Sequence, residues 1–312
     1  MSAIGKIMTL KKKIIRTVQM ILLIGMLIAG GYPKVSDAWN RYLADQRIDH
    51  YTQTNAQDPT ALQEEYEKAK EYNAELYKTG SNHIAEYTQR LSHADNEDSE
   101  DTSDGSTSDG LSFGTTDDPA YTDRLNTSGD GLMAILDIEK IGVHLPIYHF
   151  SSDDVLAKGI GHLYGSSLPV GGANSRCVLT GHRGLPEMEL LTNLDQMEKG
   201  DMFSIQVLDQ THYYQVSDIQ VINPDELDTL AIEPGKDLVT LVTCTPYGVN
   251  TQRLLVTGTR VKTPAQAKQS PTQTVKQIAQ FPVTILAISG IILVLFAIGF
   301  IVVWTSKTEE EE

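Results

Sequence analysis

The stretch "LVTCTPYGVNTQRLLV", residues 241–256, predicts a β-hairpin. A β-rich run ends at Cys244, a turn is built on Pro246 and Gly248, and a second β-rich run opens at Arg253. Such a hairpin brings Cys244 and Arg253 close together on neighbouring strands. The chain has only two cysteines, so Cys244 is either half of a structural disulfide with Cys177 or a nucleophile.

Further short runs rich in Val, Ile, Leu, Thr and Tyr surround this hairpin, and Gly, Pro and Asp punctuate them. They are residues 132–148, 176–182, 202–208, 213–222, 238–244 and 253–261. This spacing predicts a single mainly β domain, either a barrel or a sandwich. One helix is expected within it, at residues 187–197.

The region before the β domain predicts helices. Asp58 is a candidate N-cap, Pro59 suits the first turn, and Leu62, Tyr66, Ala69 and Tyr72 recur at near-helical spacing. We therefore expect a helix over residues 59–79 that packs on another part of the protein. A second helical piece is expected over residues 83–91.

Two apolar stretches near the ends indicate membrane segments. Residues 283–304 contain no charge, and their 22 residues are enough to cross a hydrocarbon core of about 30 Å. Residues 17–33 are shorter and follow a basic segment, so they are either a signal peptide or an uncleaved signal anchor. The basic flank predicts a cytoplasmic N-terminus. With two spans, the C-terminus is cytoplasmic as well and the domain between them is extracellular.

The charge distribution excludes some functions. The formal net charge is −16, which argues against nucleic acid as a partner. Residues 95–109 hold seven acids and no base among Ser, Thr and Gly, which predicts a mobile loop. The histidines offer no close pair at metal-ligand spacing, so neither a zinc site nor any other cofactor is expected.

His182 completes a possible catalytic set with Cys244 and Arg253. It lies in "TGHRGLP", residues 180–186, whose glycines and proline predict a tight exposed turn. A thiolate attacks a carbonyl, a guanidinium hydrogen-bonds the resulting oxyanion, and an imidazole moves protons to and from amines. Spacing alone is weak evidence for catalysis, because Cys244 is also compatible with a buried thiol or disulfide partner, His182 with a turn residue and Arg253 with a solvated strand end. Cys177 is interpreted as a buried structural thiol because its neighbours are apolar.

The sequences of four segments resemble motifs of the sortases, which are cysteine transpeptidases of Gram-positive surfaces. Among the sortases they resemble the pilin-polymerising class C. The segments are "LTGHRGLP" (179–186), "TLVTCTPYGVNTQRLLVTG" (240–258), "GDGLMAILDIEKIGVHLPIYH" (129–149) and "GIGHLYGSSLPVGG" (159–172). The resemblance is close over about residues 121–262 and looser over the helix at 59–79.

This resemblance implies a closed eight-stranded β-barrel with N-terminal helices, and a catalytic triad of His182, Cys244 and Arg253. It implies that Cys244 cleaves the Thr–Gly bond of an LPXTG-type sorting signal on a pilin precursor and forms a thioacyl enzyme. A lysine amine of another pilin would then resolve the thioacyl as an isopeptide bond. A nucleophilic Cys244 must be reduced, which argues against a bridge to Cys177.

Class C enzymes often carry a lid with an Asp-Pro-aromatic motif, and this chain departs from that motif. Asp118 and Pro119 are followed by Ala120, so that Tyr121 comes one place late. Phe113, in "GLSFG", is a second candidate plug without an Asp-Pro pair. The segment 95–121 is therefore expected to be either a lid or a flexible tether.

The resulting division of the chain has eight parts. They are a cytoplasmic basic segment (1–16), a signal anchor or signal peptide (17–33), an N-terminal helical region (34–93), an acidic loop or lid (94–126), the catalytic barrel (127–262), a tether (263–281), a transmembrane helix (282–304) and a cytoplasmic tail (305–312).

Two alternative functions fit parts of these patterns. A sortase that attaches proteins to cell-wall peptide amines would use the same three residues. A non-catalytic extracellular binding domain would instead join Cys177 and Cys244 in a disulfide.

Overall fold

The computed structural model describes residues 3–56, 58–80, 84, 117–185 and 188–263. The predicted tether, the C-terminal span, Phe113 and, apart from Ile84, the helical piece at 83–91 lie outside the described residues. The chain divides into two units, one of residues 1–42, 186–188 and 271–312 and the other of residues 43–185 and 189–270.

Eight strands close into a barrel in the second unit, which confirms the predicted fold class. Their order around the barrel is β1-β2-β3-β4-β7-β8-β6-β5. The strands are β1 (Leu132–Ile138), β2 (Val143–His149), β3 (Ile160–His162), β4 (Ser175–Thr180), β5 (Met202–Val207), β6 (Gln210–Ile222), β7 (Asp237–Thr245) and β8 (Gln252–Val261). The three-residue β3 is absent from the sequence prediction because it is too short to carry a period-2 pattern.

The first helix, α1 (Ala3–Asn55), is 53 residues long. Its residues 17–55 include an apolar window of 18 residues that is not buried. Within the described residues it is the one helix long and apolar enough to cross a membrane, a test that a signal sequence also passes. The choice between a signal anchor and a signal peptide therefore stays open.

The C-terminal part of α1 packs on the barrel. Ile48 and Tyr51 lie in one apolar cluster with Leu132 and Ile135 of β1 and Tyr148 of β2. The Tyr51 hydroxyl donates to the Met133 carbonyl at 2.9 Å and accepts from the Leu208 amide at 2.8 Å. This buried hydroxyl is thus satisfied on both sides, as a buried polar group requires.

The helix α2 (Pro59–Thr79) begins where the sequence predicts. The Asp58 carboxylate caps it by accepting from the amides of Thr60 and Ala61, at 3.0 and 3.1 Å. Asn73 on its buried face exchanges two hydrogen bonds with the backbone of Leu168, of 2.7 and 3.0 Å. The prediction that this helix packs on another part of the protein is confirmed.

In the part of the chain that the structure describes, two further helices are single turns, α3 (Pro119–Thr122) and α4 (Asp153–Leu156). The 3-10 turns there span Glu139–Ile141, Leu194–Gln196 and Leu227–Leu230. The prediction of a helix over residues 187–197 is wrong, because the described part of this segment forms turns, including the 3-10 turn at 194–196. Leu191 donates its amide to the His182 carbonyl, and the Thr192 carbonyl accepts from Arg183. Leu190 also has a φ of 39°. These backbone groups bond to the His182 segment instead of to a helix of their own.

Candidate active site

Cys244 and Arg253 are direct cross-strand partners in the antiparallel β7–β8 pair. Side chains of directly opposed residues share one face of the sheet, with Cβ atoms about 4.5–5.5 Å apart. Cys244 is 0% exposed and Arg253 is 6% exposed. The hairpin predicted from the sequence therefore places the thiol and the guanidinium side by side and away from bulk water.

The face that carries Cys244 is the outer face of the barrel wall. Cys244, Val242 of β7 and Leu255 of β8 form one cluster with Leu156 of α4 and Leu230 of the β6–β7 connection. Both covering segments lie outside the barrel sheet. The reacting groups therefore line an outer surface covered by loops, where a substrate chain would be able to lie.

The turn between β7 and β8 fixes the Arg253 guanidinium. Its Nη1 donates to the carbonyls of Asn250 and Gln252, at 3.0 and 2.9 Å. The Pro246 carbonyl closes the same turn by accepting from the amides of Val249 and Asn250, both at 3.0 Å. The arginine is thus oriented by the backbone of its own turn.

His182 lies two residues beyond the end of β4, which runs parallel to β7. The register pairs Thr180 with Val242, and the ladder continues as the Gly181 amide donates to the Val242 carbonyl at 3.1 Å. The Thr243 hydroxyl donates to the Gly181 carbonyl at 2.7 Å. Extending this register by two places sets His182 level with Cys244 on the same face.

Gly181 is required at this junction by space. A Cβ there would lie 2.9 Å from side-chain atoms of both Ile160 and Leu191. The close approach lets the chain turn tightly after β4, so that half-buried His182 follows at once. The three residues therefore form a row across β4, β7 and β8, in the order His182, Cys244, Arg253.

This row brings together a nucleophile, a group that moves protons and a donor for a developing oxyanion. A thiolate is the attacking form of cysteine, and fixed N–H donors stabilise a tetrahedral intermediate more than mobile water does. An imidazole beside the sulfur is placed to protonate a leaving amine and to accept a proton from an incoming one. The arrangement is suited to acyl transfer.

Cys177 is not joined to Cys244 by a disulfide. It is level with Val239, five residues before Cys244 along β7. At about 3.3 Å per residue the two cysteines are separated by roughly 16 Å along the strand direction, beyond the reach of a disulfide. Burial, with the negative charge of Asp237, raises the pKa of the Cys177 thiol well above its usual range. Cys177 is a protonated core residue.

The described lid candidates lie on the β2–β3 side of the barrel. Asp118 caps α3, and its Oδ2 accepts from the Tyr164 hydroxyl at 2.7 Å. Tyr121, three residues after Asp118 in the same helical turn, is fully buried with its hydroxyl 2.8 Å from His162 Nδ1. Burial lowers the pKa of His162 to about 4, so this imidazole is neutral. Phe113 lies outside the described residues.

Sequence reasoning missed one residue of the site, Arg183. It follows His182 directly and its side chain is buried, with Asp195 and Thr245 among its partners. The signal was present in "TGHRGLP", but burial and partners of a turn arginine depend on segments distant in sequence. Nothing in the local pattern separates it from a solvated turn residue.

Comparison with known proteins identifies the fold family. The sortase domain family matches residues 136–261. Sortase C1 of pilus island 1 of group B Streptococcus is 32% identical, with a TM-score of 0.57, over 74% of this chain and 98% of that one. A lid mutant of sortase A from Corynebacterium diphtheriae is 33% identical, with a TM-score of 0.54, over 68% of this chain and 100% of that one.

The chain belongs to the sortase family. Sortases are cysteine transpeptidases, so the enzyme class expected from the motifs is confirmed, and the class C structures support that class for this sortase. Sortase D of Bacillus subtilis (strain 168) is 29% identical over 130 residues, or 41% of this chain. That match spans 63% of the relative, a little under two thirds of its length.

Proposed function

We propose that this sortase is a pilin polymerase in which Cys244 is the nucleophile, His182 moves the protons and Arg253 stabilises the oxyanion. The observation that carries the proposal is the direct pairing of Cys244 with Arg253 on the outer face of the barrel. The bonds of Gly181 to Val242 and Thr243 support His182 as the third group of the same row, because they hold the residue before it against β7.

In the first half-reaction the Cys244 sulfur attacks the threonine carbonyl of an LPXTG-type sorting signal. The oxygen of the tetrahedral intermediate takes up negative charge next to the Arg253 guanidinium. The C–N bond to glycine then breaks, His182 donates a proton to the leaving amine, and a thioacyl enzyme remains.

In the second half-reaction a lysine amine of another pilin attacks the thioacyl carbon. His182 accepts a proton from the incoming nitrogen, the new C–N bond forms and the C–S bond breaks. Cys244 is regenerated and the two subunits are joined by an isopeptide bond. Pilin as substrate is supported by the likeness to a sortase C1 encoded on a pilus island.

The proposed location is the outer surface of the cell membrane. The apolar, unburied window within α1 supports an N-terminal anchor. The basic residues before it favour a cytoplasmic N-terminus, and the span predicted at 282–304 would return the C-terminus to the cytoplasm. The barrel would then face the compartment in which pilins are assembled.

We also propose that the segment 95–121 is a lid over the site. The support is that Cys244 is fully buried, so that a substrate carbonyl reaches its sulfur only after a covering group moves. A lid is also named for the related sortase A of Corynebacterium diphtheriae. Asp118, Pro119, Tyr121 and Phe113 stay the candidate anchors. In that arrangement α3 would be the hinge at the barrel, since Asp118 and Tyr121 are held there by Tyr164 and His162.

The test is a joining reaction with purified protein. The enzyme is incubated with an LPXTG donor peptide and a lysine-containing pilin peptide, and the products are analysed by mass spectrometry. The proposal predicts a branched product linked through the lysine side chain, which is absent with Cys244→Ala. Joining only to a cell-wall peptide amine would instead indicate the wall-attaching reaction, and no cleavage at all would overturn both.

A further inference from the structure

Arg183 has an unusual set of partners for a residue in a turn that the sequence predicts to be exposed, since residues 181–185 are buried or half-buried in the structure. Its side chain is only 7% exposed. Nε donates to the Thr192 carbonyl at 3.1 Å, Nη1 donates to the Thr245 hydroxyl at 3.3 Å, and Nη2 donates to the Asp195 carboxylate at 2.5 Å. All three nitrogens of the guanidinium are therefore used, each toward a different residue.

These partners belong to the two segments that flank the reacting groups. Thr245 directly follows Cys244, and the Tyr247 ring of the same turn lies 5.9 Å from the Arg183 guanidinium carbon. Gly184 also packs closely on this ring, because a Cβ at Gly184 would lie 3.0 Å from the Tyr247 ring. The turn after His182 is thus packed directly on the turn after Cys244.

His182 needs such a support because it lies beyond the last residue of β4. Its backbone is held on one side by the bonds of Gly181 to β7, and its carbonyl accepts from the Leu191 amide at 3.2 Å. Arg183 adds the lateral connection, from the histidine segment to Thr245 on one side and to Thr192 and Asp195 on the other. Its planar fork holds three directions at once, which a lysine ammonium does not reproduce.

We propose that Arg183 is a positioning residue that holds His182 at the level of Cys244 by bracing the two turns against each other. It does not touch the reacting atoms in this role. The inference rests on the proposed function, since it assigns Arg183 a part in the proton transfers of the same site.

The chain supplies a matched control in Arg176, seven residues earlier and near the start of β4. Arg176 is also buried, at 5% exposed. Its Nη2 donates to the Glu233 carboxylate at 2.6 Å and its Nη1 donates to the Thr240 hydroxyl on β7 at 3.1 Å. It therefore has the same kind of partners as Arg183, a carboxylate and a β7 threonine, but lies at the other end of β4 from His182.

The experiment compares Arg183→Met with Arg176→Met in the purified protein. The readouts are Tm, and kcat and KM for cleavage of an LPXTG peptide. Both variants are expected to lower Tm, because each leaves a carboxylate and a threonine without their buried partner. Only Arg183→Met is expected to lower kcat, by about 10- to 100-fold with little change in KM, because the reacting groups are misplaced while the substrate surface is kept.

Two milder variants keep the test decisive if Arg183→Met does not fold. Arg183→Lys keeps the charge beside Asp195 and is expected to recover only a small part of kcat. Asp195→Asn removes a partner that is itself 50% exposed, and it is expected to lower kcat less than either arginine variant. A graded loss in that order, at nearly constant KM, supports the positioning role.

Three outcomes would overturn the inference. Equal losses of kcat in the Arg183 and Arg176 variants would mean that lower protein stability, and not the position of His182, reduces the rate. A rise in KM at constant kcat would place Arg183 in substrate binding, and a kcat within about twofold of wild type would remove its role altogether. Failure of the wild-type protein to cleave the peptide would instead count against the proposed function.

Discussion

The two cysteines lie on adjacent strands of one barrel wall, and both are almost completely withdrawn from water, at 2% for Cys177 and 0% for Cys244. Cys177 lies in the middle of β4, where its β7 neighbour is the buried Val239. Cys244 lies at the end of β7, where Arg253 is its partner on one side and His182 is level with it on the other. Burial alone therefore gives an unreactive thiol. Cys244 differs from Cys177 because the strand ends bring Arg253 and His182 beside it.

The largest expected effect is the loss of nucleophile. Cys244→Ala is predicted to abolish thioacyl formation and peptide joining, because no other group in the row attacks a carbonyl. Chromatography of the peptide products measures cleavage, and a cooperative thermal unfolding transition confirms that the barrel is folded. Residual cleavage at the wild-type rate in this variant would mean that Cys244 is not the nucleophile.

The next effect concerns the partner that distinguishes Cys244 from Cys177. Arg253→Lys is predicted to lower kcat about 100-fold or more, the usual cost of losing an oxyanion donor. Lysine supplies a point charge, but it lacks the planar fork that bonds Asn250, Gln252 and an oxyanion together. Rates near wild type with lysine would indicate that the guanidinium acts only through its charge.

A third prediction separates the two thiols by their accessibility. Removing residues 95–120 is predicted to raise the alkylation rate of Cys244 by about tenfold or more, because modification needs an accessible thiolate. Cys177 is predicted to stay unmodified at neutral pH in both proteins, since burial raises its pKa. Peptide mapping after iodoacetamide treatment measures both sites. Equal rates for Cys244 with and without the segment would contradict the lid.

The pairing of Cys244 with Arg253 could be predicted from the sequence, because it depends on a local pattern. The hairpin at 241–256 contains both its strands and its turn, so its pattern alone brings Cys244 opposite Arg253. The cap at Asp58 and the helix that follows it were predicted for the same reason. In each case every residue that decides the structure is present in one short window.

The remainder depends on segments that are distant in sequence. The level of His182 follows from the parallel pairing of β4 with β7, which joins Thr180 to Val242. The segment after Glu187 has the composition of a helix, but Arg183 and His182 bind its backbone and hold it in turns. Tertiary contacts of this kind override local propensity, and a single sequence does not show them.

The smallest expected effect belongs to the inert cysteine. Cys177→Ala is predicted to lower the free energy of unfolding by about 1 kcal/mol, the typical cost of a single core change, and to leave kcat unchanged. Thermal or urea unfolding measures the first quantity and peptide cleavage the second. A loss of activity without a loss of stability would remove the distinction between the two thiols.

In the proposed mechanism Cys244 forms a thioacyl enzyme while Cys177 does not react. Its most direct test is the intact mass of the soluble protein, about residues 34–280, after incubation with an LPXTG peptide. The protein is measured beside Cys244→Ala, beside Cys177→Ala and beside the form without residues 95–120. We expect an adduct of the cleaved peptide on the Cys177→Ala and lidless proteins, and none on Cys244→Ala. No adduct on any form, or an adduct that persists in Cys244→Ala, would contradict it.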